Sequence, residues 1–275
     1  MNTMRTVMLM TLLTLVLVGF GGALGGQSGA FIALIMAGVM NFGSYWFSDK
    51  IVVKMYRGQE VHSGVLYDVV SELCQRNDLI MPKVYLLPQA TPNAFATGRN
   101  PSHAVVAATE GITQILSREE LKGVMAHEMA HVQNRDILIG SIAATFAGAI
   151  SFMAHMAQWA MIFGGGDDED SNPFAMIVMM ILAPIAAMLV QMAISRSREY
   201  GADQKGAELC GNPHSLASAL RKLETANQRM PMQNVNEATA HMFIVSPLSG
   251  KKMAQLFSTH PPMAERIRRL EGMQI

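Results

Sequence analysis

Two histidines four residues apart, His127 and His131, enclose a turn that carries Glu128 directly after the first of them. In an α-helix residues i and i+4 share a face, so both imidazoles can point at one metal ion. Glu128 then sits about 100° round the helix from His127, beside the ion rather than under it. From there its carboxylate can take a proton from ion-bound water without being a ligand. The pattern HExxH thus encodes two ligands and one base. Chance alone produces it at some rate in a chain with eight histidines, so its setting matters. That setting is a helix opened by Ser117-Arg118-Glu119-Glu120, a capping-box sequence.

A hydrolytic zinc site needs three protein ligands and an open fourth position. Asp136 is near in sequence but lies nine residues beyond His127, where the chain is about to enter an apolar run. Glu199 is the better candidate on topological grounds. Ile137–Gly166 and Ser171–Ser195 are free of charge, and the acidic stretch Asp167–Asp170 lies between them. Two such runs make an antiparallel hairpin whose ends return to one side of a bilayer. His131 precedes the first run by six residues and Glu199 follows Ile194 by five, so both stand roughly 7–9 Å above the boundary. A surface ion pair with Arg196 or Arg198 is the competing use of Glu199. Asp203, one turn later, is placed to orient a ligand imidazole through its second nitrogen. Zinc at such a site would lower its water's pKa towards about 7 and polarise a carbonyl, with Glu128 passing the proton to the leaving nitrogen. Spacing alone identifies no oxyanion donor.

The elements that must position these groups begin in the membrane. Only 15% of the chain is charged, against about 25% in soluble domains. No Asp, Glu, Lys or Arg occurs from Thr6 to Ser48, enough for two spans of about 20 residues, near 6–24 and 30–47, hinged at Gly25–Gly29. Tyr45-Trp46-Phe47 forms an interfacial belt, and the second apolar run argues against a cleaved signal peptide. A second hairpin spans about 137–163 and 174–194 and contains His155, Gln158, Pro184 and Gln191. Basic residues flank the spans at Arg5, Lys50, Lys54, Arg57, Arg135, Arg196 and Arg198, and the two turns have none. Positive residues stay inside, which puts both termini and the segments 49–136 and 195–275 in the cytoplasm.

Those segments read as mostly helical with a small sheet. A helix is expected near 62–76 and strands at 83–87, 94–97 and 104–109. The HExxH helix follows Ser117, another starts at Asn212-Pro213 with Leu216, Leu220 and Leu223 on one face, and a short basic helix covers 261–271. Net charge is zero, with 21 basic and 21 acidic residues, so nucleic acid is not an expected partner. Cys74 and Cys210 read as reduced buried thiols, and the 24 methionines as packing.

HEMAH running into a span, Ser195-Arg196-Ser197-Arg198-Glu199-Tyr200-Gly201-Ala202-Asp203 after the next one, Asn93-Ala94-Phe95-Ala96-Thr97-Gly98 upstream and Thr259-His260-Pro261-Pro262 near the end together resemble the HtpX-type membrane metalloproteases. These are stress-linked relatives of the CAAX prenyl endopeptidases. The resemblance covers nearly the whole chain. It implies a mainly α membrane protein with four transmembrane helices (1–48 and 137–194) and a cytoplasmic, gluzincin-like protease domain with a small β-sheet, split between 49–136 and 195–275. It implies one zinc per subunit on His127, His131 and Glu199, with Glu128 as base. The implied location is the cell inner membrane, multi-pass, and the implied substrates are misfolded membrane proteins and unfolded polypeptides. Oligomeric state is not implied. By the same resemblance, Asn93 and strand 94–98 hold substrate backbone at a sheet edge, and His260 is a candidate oxyanion donor. An Asx turn after Pro92 and a helix cap before Pro261 are the bland alternatives for these two. Arg266 reads as part of a solvated basic face. A prenyl-protein endopeptidase, or a metal-carrying membrane protein that does not hydrolyse and for which Glu128 is dispensable, are the competing functions.

Overall fold

A computed structural model describes residues 2–140, 142, 196–229, 239, 242–245 and 261–275. The expected second hairpin, with His155, Gln158, Pro184 and Gln191, falls outside these residues apart from its first turn, and so does His260.

The chain opens with helix α1, Asn2–Met55, which reverses at Gly26, a glycine in the left-handed region at φ 57°. Asn41 Nδ2 donates to Thr14 Oγ1 at 2.9 Å across 27 residues. A straight helix would hold those residues about 40 Å apart. Gly21 and Gly29 meet so closely that a Cβ on either would strike the other's backbone. The second arm, Gly26–Phe47, is 22 residues long and apolar enough to cross a membrane, whereas Thr6–Gly19 is a shorter apolar helix. Phe31, Ile32, Val39 and Phe42 on the second arm are all exposed.

Beyond α1 lie β1 (Gln59–Glu60), α2 (Val65–Arg76), β2 (Lys83–Leu87), β3 (Ala94–Gly98) and β4 (Ala104–Thr109). The sheet order is β1-β2-β4-β3, with β2 and β4 parallel and β3 antiparallel on the far edge. All six residues of β4 and all five of β3 are buried, which is why these runs lack the polar alternation of a half-solvated strand. Helix α2 starts at Val65 rather than 62 because Gly64 has φ 94°, a conformation that cannot continue a helix. Among the elements not anticipated are the two-residue β1 and α3 (Glu110–Ile115), whose N-terminus is capped by Thr109 Oγ1 accepting from the Ile112 amide at 3.2 Å.

The metal-motif helix, α4 (Arg118–Gln133), runs through the middle of the domain. Its capping box is complete: Ser117 Oγ accepts from the Glu120 amide at 3.3 Å and Glu120 Oε2 from the Ser117 amide at 2.8 Å. Glu120 also accepts from Ser218 and Lys222, both at 2.7 Å, which ties the start of α4 to a later helix. Burial disfavours the Glu120 carboxylate, but Lys222 and the Ser117 contacts outweigh that and lower its pKa. Around α4 pack α2, the sheet, α5 (Arg196–Cys210) and α6 (Pro213–Arg229). Leu216, Leu220 and Leu223 of α6 are essentially inaccessible, each contributing about 1.5–3 kcal/mol of burial. Helix α7 (Met263–Glu271) closes the bundle against α5 and α6. Cys74 and Cys210 are free and buried.

Candidate metal and catalytic site

Helix α4 presents His127 and His131 on one face, their rings perpendicular and 4.8 Å apart. Glu199 enters from the first turn of α5, with Oε1 3.5 Å from His131 Nε2 and Oε2 3.9 Å from His127 Nε2. One ligand atom from each of the three residues lies within 4.8 Å of the others. Two imidazole nitrogens and a carboxylate form the donor set of an open, hydrolytic-type metal site, and their spacing needs only slight contraction about a divalent ion. His127 is buried, whereas the His131 side chain is 16% exposed, so the site opens towards solvent on the His131 side.

Each imidazole meets a second carboxylate at its other nitrogen. His127 Nδ1 lies 3.0 Å from Asp203 Oδ1, short in distance though off the ideal donor line. His131 Nδ1 lies 3.3 Å from Asp136 Oδ2. Such outer carboxylates fix the tautomer and turn Nε2 towards the ion's place, although His127 Nε2 also lies 3.4 Å from Arg266 Nη2. Asp136, weighed only as a ligand in the sequence, thus stands behind His131. It folds back because Arg135 takes φ 57°, which lets the Asp136 amide donate to His131 O at 3.0 Å in a Schellman-like closure of α4.

Asp203 is itself clamped. Arg266 of α7 donates from Nε to Oδ2 at 2.9 Å and from Nη2 to Oδ1 at 2.7 Å. The same guanidinium approaches Glu199 Oε2 at 3.5 Å and donates to Ile244 O at 3.3 Å. Arg266 is completely buried, which corrects the reading of it as part of a solvated face. Burial alone would raise the Asp203 pKa, but Arg266 and His127 pull it down to about 2.

Glu128, 2% exposed, accepts from the Ala96 amide of β3, so the sheet edge holds the carboxylate beside the histidines. Burial pushes its pKa up to about 7. Asn93 turns into the protein and bonds the chain's own backbone. It is fully buried, its Nδ2 donates to Val245 O at 2.8 Å, and its Oδ1 accepts from the Ala94 and Val245 amides. The Ile244 amide also donates to Ala94 O. The chain's own 243–245 segment therefore covers the start of the β3 edge, and Asn93 clamps that segment.

Close approach of α5 to α4 sets this geometry. Glu199, Asp203 and Gly206 follow at spacings of four and three, hence one helical face. A Cβ at Gly206 would lie 2.8 Å from both the amide nitrogen and the Cα of His127. Gly206→Ala must push the helices apart, at a cost of about 1–3 kcal/mol. It should lower metal affinity about tenfold or more by withdrawing Glu199, as read by chelator-competition titration. Unchanged affinity would mean that helix spacing does not set the ligand geometry.

Metal loading should be coupled to proton release. Burial opposes the His131 imidazolium, but Asp136, Glu199 and Glu128 outweigh it and raise its pKa to about 9 in the metal-free protein. Burial lowers that of His127, so His127 is already neutral. An ion must displace the His131 proton throughout the range below pH 9. Ordinary histidine values would confine the loss of affinity to below about pH 6. The pocket instead predicts affinity that falls about tenfold per unit as pH drops from 9 to 7. Calorimetry at pH 7.5 in buffers of different ionisation enthalpy should report about one proton released per ion.

A helix carrying two histidines and a buried glutamate, completed by a carboxylate from a second helix, defines a metal-dependent hydrolase type of site. The chain belongs to peptidase family M48, whose model matches residues 60–274. A "Protease HtpX homolog" of Syntrophotalea carbinolica is 72% identical over the full length of both chains. Proteins of the same description from Persephonella marina and Aquifex aeolicus are 55% and 53% identical, over 99% and 92% of this chain and 98% and 87% of their own. Among solved structures, Ste24p of S. mikatae superposes with a TM-score of 0.52 at 19% identity, over 88% of this chain and 58% of that one. At that identity the likeness concerns the fold.

Proposed function

We propose that this M48 peptidase is a membrane-embedded, zinc-dependent endopeptidase that cleaves misfolded or damaged membrane proteins at the cytoplasmic face of the inner membrane. The convergence of His127, His131 and Glu199 next to a buried Glu128 carries the reading. An ion held by those three residues supplies Lewis acidity for a water and for the scissile carbonyl. Glu128 takes the proton of the attacking water and gives it to the leaving nitrogen as the C–N bond breaks. Burial raises the pKa of this carboxyl, the direction that a group serving as base and then as acid requires. The Ala96 amide keeps the carboxylate aimed, and Asp203 and Asp136 keep both Nε2 atoms turned inward.

The membrane reading rests on Gly26–Phe47 and its exposed apolar side chains. Val52 and Tyr56, just past that span, pack with Leu87, Phe95 and Ala107 of the sheet. The sheet that steadies Glu128 therefore sits on the end of the span, within reach of loops at headgroup level. A membrane-anchored loop should be cut several-fold faster than the same sequence as a free peptide. Chelation should stop both reactions and added zinc restore them. Equal rates would contradict the bilayer-linked substrate, and chelator-resistant cleavage would contradict the metal.

A further inference from the structure

Where α1 leaves the apolar span, a groove of about 630 Å³ opens between the helix and the β3–β4 connection. Its two walls differ in chemistry. Phe42, Trp46 and Phe47 form one, all exposed to solvent in the isolated chain. Lys83 and Arg99 stand across from it, Lys50 follows Phe47 by one turn on the same helix, and Asp49 is the one acidic residue among the lining. The cations are held against the aromatic wall: Arg99 Cζ sits 4.4 Å over the Trp46 ring and Lys50 Nζ 5.7 Å from that of Phe47. Lys50 and Arg99 have no ion-pair partner among the described residues. Lys83 meets Glu60 only at 3.5 Å with its side chain 62% exposed, a weak pairing. An adjoining groove of about 560 Å³ shares Asp49, Lys50 and Val105 and adds Lys54 and Arg57 to the basic rim.

From this arrangement we infer a binding site for an anionic phospholipid. The site rests on the bilayer placement of Gly26–Phe47 proposed above. Acyl chains lie along the aromatic wall, which continues the apolar face of the span. The phosphate sits among Lys50, Lys83 and Arg99, where the net charge with Asp49 is positive. A soluble anion would make no use of the aromatic wall, and an acidic peptide would leave it open to water. Ala104 and Val105 of β4 also line the groove, so the lipid bridges the span to the sheet that carries β3 and Glu128. It thereby holds the catalytic domain at a fixed height on the bilayer.

Trp46 is one of two tryptophans and reports the site directly. The full-length Trp159→Phe chain is reconstituted in phosphatidylcholine vesicles containing a minor fraction of brominated phosphatidylglycerol or of brominated phosphatidylcholine. Brominated phosphatidylglycerol should quench Trp46 about tenfold more effectively per mole, since each basic residue near the surface favours an anionic lipid by about 1 kcal/mol, roughly fivefold. Lys50→Gln with Arg99→Gln should reduce the difference to about twofold while leaving quenching by both lipids, and an undiminished difference in the double variant overturns the site. Millimolar inorganic phosphate or an acidic peptide should not relieve it. Equal quenching in the parent chain overturns the site but keeps the bilayer placement, and relief by phosphate or peptide assigns the groove to those ligands instead. Absence of quenching by either lipid overturns the placement and the site with it. Mass spectrometry of the unsubstituted chain released from nanodiscs checks the result independently: phosphatidylglycerol should be retained by it and lost from the double variant.

Discussion

Glu128→Gln lowers peptide cleavage by about 10²–10⁴-fold and leaves the metal content unchanged. The substitution keeps the shape and the Ala96 contact but removes the group that carries the proton. Because Glu128 touches neither Nε2 as a ligand, the three donors His127, His131 and Glu199 are left intact. Cleavage of an unfolded polypeptide and metal content per chain, measured on one preparation, read the two effects separately. Loss of the ion together with activity would make Glu128 part of the binding site. Retained cleavage would mean that another group carries the proton, whereas a parent chain that holds the metal but cleaves nothing would favour a metal carrier over a hydrolase.

Arg266→Ala should cost about 3–5 kcal/mol of stability, because it strands a buried ionised carboxylate. Asp203 is 1% exposed, has its pKa held at about 2, and takes two of its hydrogen bonds from this guanidinium. That loss is a large share of a typical folding free energy of about 5–15 kcal/mol. Metal affinity falls as well, since Asp203 no longer fixes His127. Arg266→Lys should recover little, because a lysine cannot reproduce the two-pronged contact. Adding Asp203→Asn to Arg266→Ala should recover part of the stability, a coupling that thermal unfolding of the four chains measures. Strict additivity of the two losses would mean that the pair is not the reason Arg266 is buried.

These two residues also mark where the sequence was legible and where it was not. The HExxH spacing, the Ser117–Glu120 capping box and the leucines of α6 are local patterns. Each maps directly onto α4 or α6. The runs at 83–87 and 104–109 coincide with β2 and β4, because Pro88 ends the first and the turn at Pro101 leads into the second. Arg266 was misread because Arg268 and Arg269 beside it are exposed and lend the helix a solvated look. Yet Met263, Arg266, Ile267 and Leu270 follow the i, i+3, i+4, i+7 spacing of a buried face, so the periodicity held the signal. Asp136 gave no such sign, since the left-handed turn that folds it back uses an arginine where glycine is usual. The cover on β3 was beyond reach for a different reason. Val245 returns to Asn93 across 152 residues, and no local pattern announces a contact of that range.

One ion shared by His127, His131 and Glu199 is the claim from which the rest follows, and metal content tests it most directly. The Glu128→Gln chain, which does not digest itself, and the same chain with Glu199→Ala are dialysed against limiting free zinc and weighed for metal while circular dichroism confirms the fold. We expect one zinc per chain in the first and a small fraction of that in the second. Full zinc retention by the folded Glu199→Ala chain would contradict the account.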